Sequence, residues 1–120
     1  MVDGVVPFPG WDFFDDEDVS DLDATTRERT APLARSVPVR VPTDPIPLGD
    51  ERRFDVPVVV LSGGFDHDEL VAALAKWGPY GDEAAAVKDF RVVRIGSGHW
   101  PQFSVPERLA ELIVAGVSGA

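Results

Sequence analysis

With 120 residues, 44% of them hydrophobic and 27% charged, the chain has the make-up of a soluble globular protein with room for one modest core, not two. A net charge of −10 excludes binding to nucleic acid or to an anionic membrane surface by charge attraction. The absence of cysteine excludes disulfides, thiolate metal sites and a cysteine nucleophile at once.

Met1-Val2-Asp3-Gly4 carries neither a basic region nor an apolar run, so no signal peptide is expected. No stretch approaches the roughly 20 apolar residues needed to span a bilayer, and a cytoplasmic location is the expectation. Residues 1–55 hold most of the prolines and the acidic run Trp11-Asp12-Phe13-Phe14-Asp15-Asp16-Glu17-Asp18. Prolines at 38, 42, 45 and 47 forbid a long helix there and push the residues before them toward extended geometry. This half is expected to be irregular, with one helical piece around Thr26–Arg35. The interleaved Trp11, Phe13 and Phe14 predict that it packs on something, because a purely solvated tail rarely keeps aromatics.

Residues 56–120 are more regular. Val56-Pro57-Val58-Val59-Val60-Leu61 is a short, β-branched, continuously apolar run, the pattern of a strand buried on both faces. Ser62-Gly63-Gly64 ends it. Asp66 and Glu69 stand at capping-box spacing and open a helix with Leu70, Val71, Leu74 and Trp77 on one face. Gly78-Pro79 stops that helix, and a second helical piece is expected over Asp82–Lys88. Arg91-Val92-Val93-Arg94-Ile95 reads as another strand, ended by Gly96-Ser97-Gly98. The last helix has Ser104 and Glu107 at capping-box spacing, Pro106 in its first turn, and Leu109, Leu112 and Ile113 as a buried stripe.

Strand, helix and strand over about 40 residues have the size of a βαβ crossover, so the fold class is α/β with a parallel sheet. Two strands make a poor sheet, because a parallel pair needs neighbours and helices on both faces. The second half is therefore expected to be the C-terminal edge of a larger, doubly wound, mostly parallel sheet.

In such sheets functional groups gather in loops at the carboxyl ends of strands. The first such loop carries Asp66, His67 and Asp68, and the second carries His99. A carboxylate on one loop can fix the tautomer of an imidazole on the next, leaving the other ring nitrogen as a general base. Asp66 is equally well explained as a helix cap, and His67 as a surface residue. A metal site from Asp66, His67, Asp68 and His99 lacks any recognised ligand spacing, so no metal and no cofactor are expected. The acidic run lacks the glycine-punctuated spacing of a calcium loop, and Gly63-Gly64 is too short to cradle a phosphate.

Gly98-His99-Trp100-Pro101-Gln102-Phe103-Ser104-Val105-Pro106-Glu107-Arg108-Leu109 resembles the catalytic-histidine segment of α/β-hydrolases. Asp55-Val56-Pro57-Val58-Val59-Val60-Leu61-Ser62-Gly63 resembles the preceding strand and acid loop, and Val2-Asp3-Gly4-Val5-Val6-Pro7 the strand end before the lid. The order of acid before histidine is also that of the family. The resemblance implies a partial α/β-hydrolase fold, with residues 1–55 as a lid-like segment and 56–120 as the C-terminal βαβα part. It also implies hydrolysis of an ester or related carbonyl in the complete family member, with His99 as general base and Asp66, or alternatively Asp3, orienting it.

The family's strand–Gly-x-Ser-x-Gly–helix elbow and oxyanion-hole loop do not occur in these 120 residues. The expectation is thus a truncated protein, inactive alone for want of a nucleophile. The alternative is a non-catalytic binding or interaction protein derived from the fold. Expected partners are a small ester-like substrate, a missing N-terminal portion supplied by another chain, or a second copy, with no nucleic acid and no membrane.

Overall fold

The computed structural model describes residues 4–119. It is mixed α/β with two two-stranded sheets, one antiparallel and one parallel, neither closed. The chain divides into two compact units, Met1–Leu48 and Gly49–Ala120.

In the first unit, β1 (Val5–Val6) pairs antiparallel with β2 (Val37–Pro38). Between them lie a 3-10 turn at Trp11–Phe13, then α1 (Asp16–Val19) and α2 (Ala24–Thr30), which runs into a second 3-10 turn at Ala31–Leu33. The helical piece expected around Thr26–Arg35 starts earlier because Asp23 caps it, its carboxylate accepting the Thr26 amide at 2.7 Å. This half is also less irregular than expected, and it holds a small core. Trp11, Val19, Leu22 and Thr30 are buried. The Trp11 indole donates to the Arg27 carbonyl (3.0 Å), while the Arg27 guanidinium donates to the carbonyls of Leu22 (2.9 Å) and Val19 (2.6 Å). One arginine thus bonds two carbonyls of the turn that follows α1, that of Val19 also accepting the Leu22 amide at 3.0 Å. Phe8 packs edge-on against Trp11, with ring centroids 5.0 Å apart.

In the second unit, β3 (Val58–Ser62) runs parallel to β4 (Phe90–Arg94), with Val58 opposite Phe90 and Ser62 opposite Arg94. The helices α3 (His67–Leu74) and α4 (Pro79–Ala86) connect them. The short α5 (Pro101–Ser104) and the longer α6 (Pro106–Ser118) follow. Residues 51–55 form a 3-10 turn bound to this unit. Arg53 and Glu83 make a bidentate pair (2.5 and 3.1 Å), Lys88 pairs with Asp55, and the Lys88 amide donates to the Phe54 carbonyl.

Several expectations are corrected by this geometry. The apolar strand is half-buried along Val58–Leu61, not buried on both faces, and it has a neighbouring strand on one edge only. The first helix ends at Leu74, and Trp77 is 58% exposed, since Lys76 and Trp77 amides reach back to Ala73 and Leu74 in a tightened last turn. Gly78-Pro79 stops α3 but also opens α4, Pro79 taking the first helical position where a missing N–H costs nothing. The second capping box does not form. Ser104 closes α5, its hydroxyl directed at the Trp100 carbonyl, and α6 starts after Val105 without a side-chain cap. The stripe on α6 is only half-covered, Leu109 and Leu112 intermediate and Ile113 50% exposed.

Among the described residues of the second unit no large hydrophobic side chain is fully buried. No helix among the described residues is long and apolar enough to cross a membrane.

Candidate functional site

The carboxyl ends of β3 and β4 are stitched together beyond the last paired residues. The Ile95 amide donates to the Ser62 carbonyl (2.7 Å), and the amides of Gly96 and Ser97 both donate to the Gly63 carbonyl (2.9 and 3.1 Å). The loop that follows β4 therefore lies directly on the turn that follows β3. Ser62 is buried, and its hydroxyl accepts the Phe65 amide at 3.0 Å, which turns the chain toward Asp66. Across the same sheet end, Glu69 in the first turn of α3 faces Arg94, the last residue of β4, at 3.7 Å.

His99 lies on the β4 loop, exposed, its ring 4.6 Å from that of Trp100 at an angle of 59°. Pro101 then starts α5, fixing the direction of the chain just after the histidine. Asp66 is exposed and forms a complete capping box. Its Oδ1 accepts the Glu69 amide and its own amide donates to the Glu69 carboxylate, both at 2.9 Å. The cap occupies one lone pair of the carboxylate, which has room for a further donor. His67 is the first residue of α3, its ring 6.3 Å from that of Phe90. Asp3, the alternative acid, lies outside the described residues. The structure thus brings the Asp66 loop and the His99 loop to one end of one parallel pair.

An exposed imidazole beside an aromatic ring can accept or deliver a proton but cannot attack a carbonyl usefully without a nucleophile. The serines of the two strand ends are engaged otherwise. The Ser97 hydroxyl donates to the Gly98 carbonyl (3.0 Å), and Ser62 holds the turn before Asp66. No group of three or more metal-ligating side chains occurs among the described residues.

The fold moves the titration of Asp23 in the first unit and of Asp50 and Glu83 in the second, none of them a residue of these two loops. Hydrogen bonds from Thr26 hold Asp23 below the usual carboxylate range, and those from Arg52 do the same for Asp50. The Arg53 guanidinium holds Glu83 down, and in return Arg53 is raised.

Two positions at the sheet end carry weight that the sequence reading did not assign. Gly63 has no space for a side chain, because a Cβ there would meet the Ser97 carbonyl oxygen. Arg94 pairs with Glu69 across the crossover. Gly63 offered the only advance signal, as a glycine ending a buried strand pattern, where close backbone approach is a standing cause. Compared with protein-family models, curated proteins and solved structures, the chain gives no match.

Proposed function

We propose that this chain supplies the general base of a serine-type ester hydrolysis, as the histidine-bearing edge of an α/β-hydrolase sheet whose nucleophile lies outside these 120 residues. The observation that carries the reading is the stitching of the two strand-end loops. Gly63 receives the amides of Gly96 and Ser97, so the acid-bearing and histidine-bearing loops share one sheet end. In that chemistry a serine hydroxyl attacks the ester carbonyl as His99 takes its proton. The tetrahedral oxyanion collapses as the imidazolium returns that proton to the leaving alcohol. Water then hydrolyses the acyl intermediate by the same two transfers. Asp66, or alternatively Asp3, would fix the ring tautomer and stabilise the imidazolium.

The test is to extend the coding sequence upstream of Met1 in the same frame and express the joined product. A strand–Gly-x-Ser-x-Gly–helix pattern is expected there, with hydrolysis of short p-nitrophenyl esters that falls at least about 1,000-fold in His99→Ala. Stop codons without an elbow, or hydrolysis indifferent to His99→Ala, would overturn the reading.

One observation favours a second reading, a non-catalytic interaction protein. The exposed side chains of α6, among them Ile113 and the 87% exposed Val117, offer apolar surface with no chemistry attached. A stable, self-contained oligomer without esterase activity in the joined product would select it.

A further inference from the structure

Between α3, α4 and the start of β4 lies a cavity of about 240 Å³, lined by the α3 residues His67, Val71 and Leu74, by small residues of α4, and by Phe90. Its walls cannot simply close. Gly81 lies buried against the Leu74 carbonyl, where no Cβ could fit, and this contact sets how near the two helices come. Ala84 and Ala85, with Val71 and Phe90, line the gap that remains. The space opens to solvent on the side of His67 and Val71, both exposed, so a ligand can enter it and would remove its apolar lining from water.

We propose that this cavity binds a small neutral aromatic molecule of one or two rings, carrying a single hydrogen-bonding group that meets the His67 imidazole. Size, lining and charge each narrow the class. An apolar cavity of about 150 Å³ takes benzene, whereas drug-sized ligands occupy roughly 300 Å³ or more. A volume of about 240 Å³ lies between them and fits one or two rings. Among the lining side chains only His67 is polar, so one polar group of the ligand finds a side-chain partner. Asp66, Asp68 and Glu69 flank that histidine, only Glu69 facing a cation (Arg94), and the net negative charge opposes an anionic head group. The site is lined by none of the residues around His99 and does not depend on the hydrolytic reading.

The experiment is an amide NMR titration of the full chain with 2-naphthol as the neutral probe and 2-naphthoate as its anionic counterpart. Saturable shifts are expected at Val71, Leu74, Ala84, Val87 and Phe90 with 2-naphthol, and about tenfold weaker binding of 2-naphthoate. His67→Ala should weaken 2-naphthol by about fivefold, the worth of one hydrogen bond. Ala84→Leu from one helix, and independently Val71→Phe from the other, should fill the space and weaken it at least about tenfold. Shifts that never saturate, or equally tight binding to a filled variant whose spectrum stays dispersed, would overturn the site. Naphthoate binding as tightly as naphthol would overturn the choice of a neutral ligand.

Discussion

A Cβ placed on Gly63 would stand 2.6 Å from the carbonyl oxygen of Ser97 and 3.2 Å from that of Gly98, so the β4 loop rests on bare backbone at the end of β3. The neighbouring Gly64 meets nothing within 4 Å. The pair separates a packing requirement from general loop entropy. Gly63→Ala should push the histidine loop away and destabilise the second unit by about 1–3 kcal/mol, the usual cost of overpacking. Gly64→Ala should leave stability within about 1 kcal/mol of the parent, since it adds no clash and restrains the unfolded chain. Urea midpoints of the two variants decide this, and equal midpoints would mean that the loop is not held where the hydrogen bonds to Gly63 put it.

Asp66 has two candidate roles that substitution can pull apart. Asp66→Ala removes the acceptor for the Glu69 amide and should cost about 0.5–2 kcal/mol through loss of the cap. Asp66→Asn keeps the acceptor, so α3 should be nearly as stable as in the parent. An amide cannot stabilise an imidazolium as a carboxylate does, so in the joined hydrolase Asp66→Asn should still lose most activity if Asp66 is the triad acid. Retained activity in Asp66→Asn, with the fold intact, would move that role to Asp3 or to no acid at all.

The two capping-box spacings show what was legible in the sequence and what was not. Asp66 and Glu69 close their box because every group involved lies within one turn. Ser104 and Glu107 have the same spacing and fail, because Trp100-Pro101 nucleates its own turn and draws the Ser104 hydroxyl to the Trp100 carbonyl. The two strands of the second half were legible to within two residues, whereas β2 in the first half was not expected. Pro57 has no amide to give the ladder, so β3 begins at Val58, whose amide donates to the Asp89 carbonyl. The contact of Gly63 with Ser97 joins residues 34 positions apart, and the Arg53–Glu83 pair joins residues 30 apart. Local spacing cannot announce such contacts.

The Arg53–Glu83 pair makes the second unit sensitive to acid. Glu83 is held below the usual carboxylate range by the Arg53 hydrogen bonds, so its folded pKa is lower than its unfolded one of about 4.3. A carboxylate lowered in this way contributes stability above its unfolded pKa, and that contribution is lost as pH falls through the folded value. Glu83→Gln should therefore be less stable than the parent at pH 7, and the gap should close as pH drops below about 4. Arg53→Lys should behave similarly, because an ammonium cannot reproduce the two-pronged contact at 2.5 and 3.1 Å. Urea midpoints of parent and Glu83→Gln at pH 7, 5 and 3.5 test the sign. A gap that persists unchanged at pH 3.5 would exclude the ion pair as its cause.

The distribution of burial bears on whether the chain stands alone. The buried large hydrophobics among the described residues, Trp11, Val19 and Leu22, all belong to the first unit, while β3 and β4 stay half-covered and α6 exposes Ile113, Val114 and Val117. The accessible surface of 8869 Å² exceeds even the roughly 7,600 Å² expected of two separate compact bodies with the masses of the two units. A parallel pair with open edges and a half-bare helix stripe gains most from a covering partner. The purified chain should therefore sediment with an average mass that rises with concentration. Its thermal transition should be broad, with an enthalpy well under the roughly 80 kcal/mol of a cooperative domain of this length. Ile113→Lys on α6 should shift sedimentation toward the monomer if that stripe is the contact, without sharpening the transition, because it removes the partner and adds no core. A sharp, concentration-independent transition from a monomer would show instead that the second unit needs no cover.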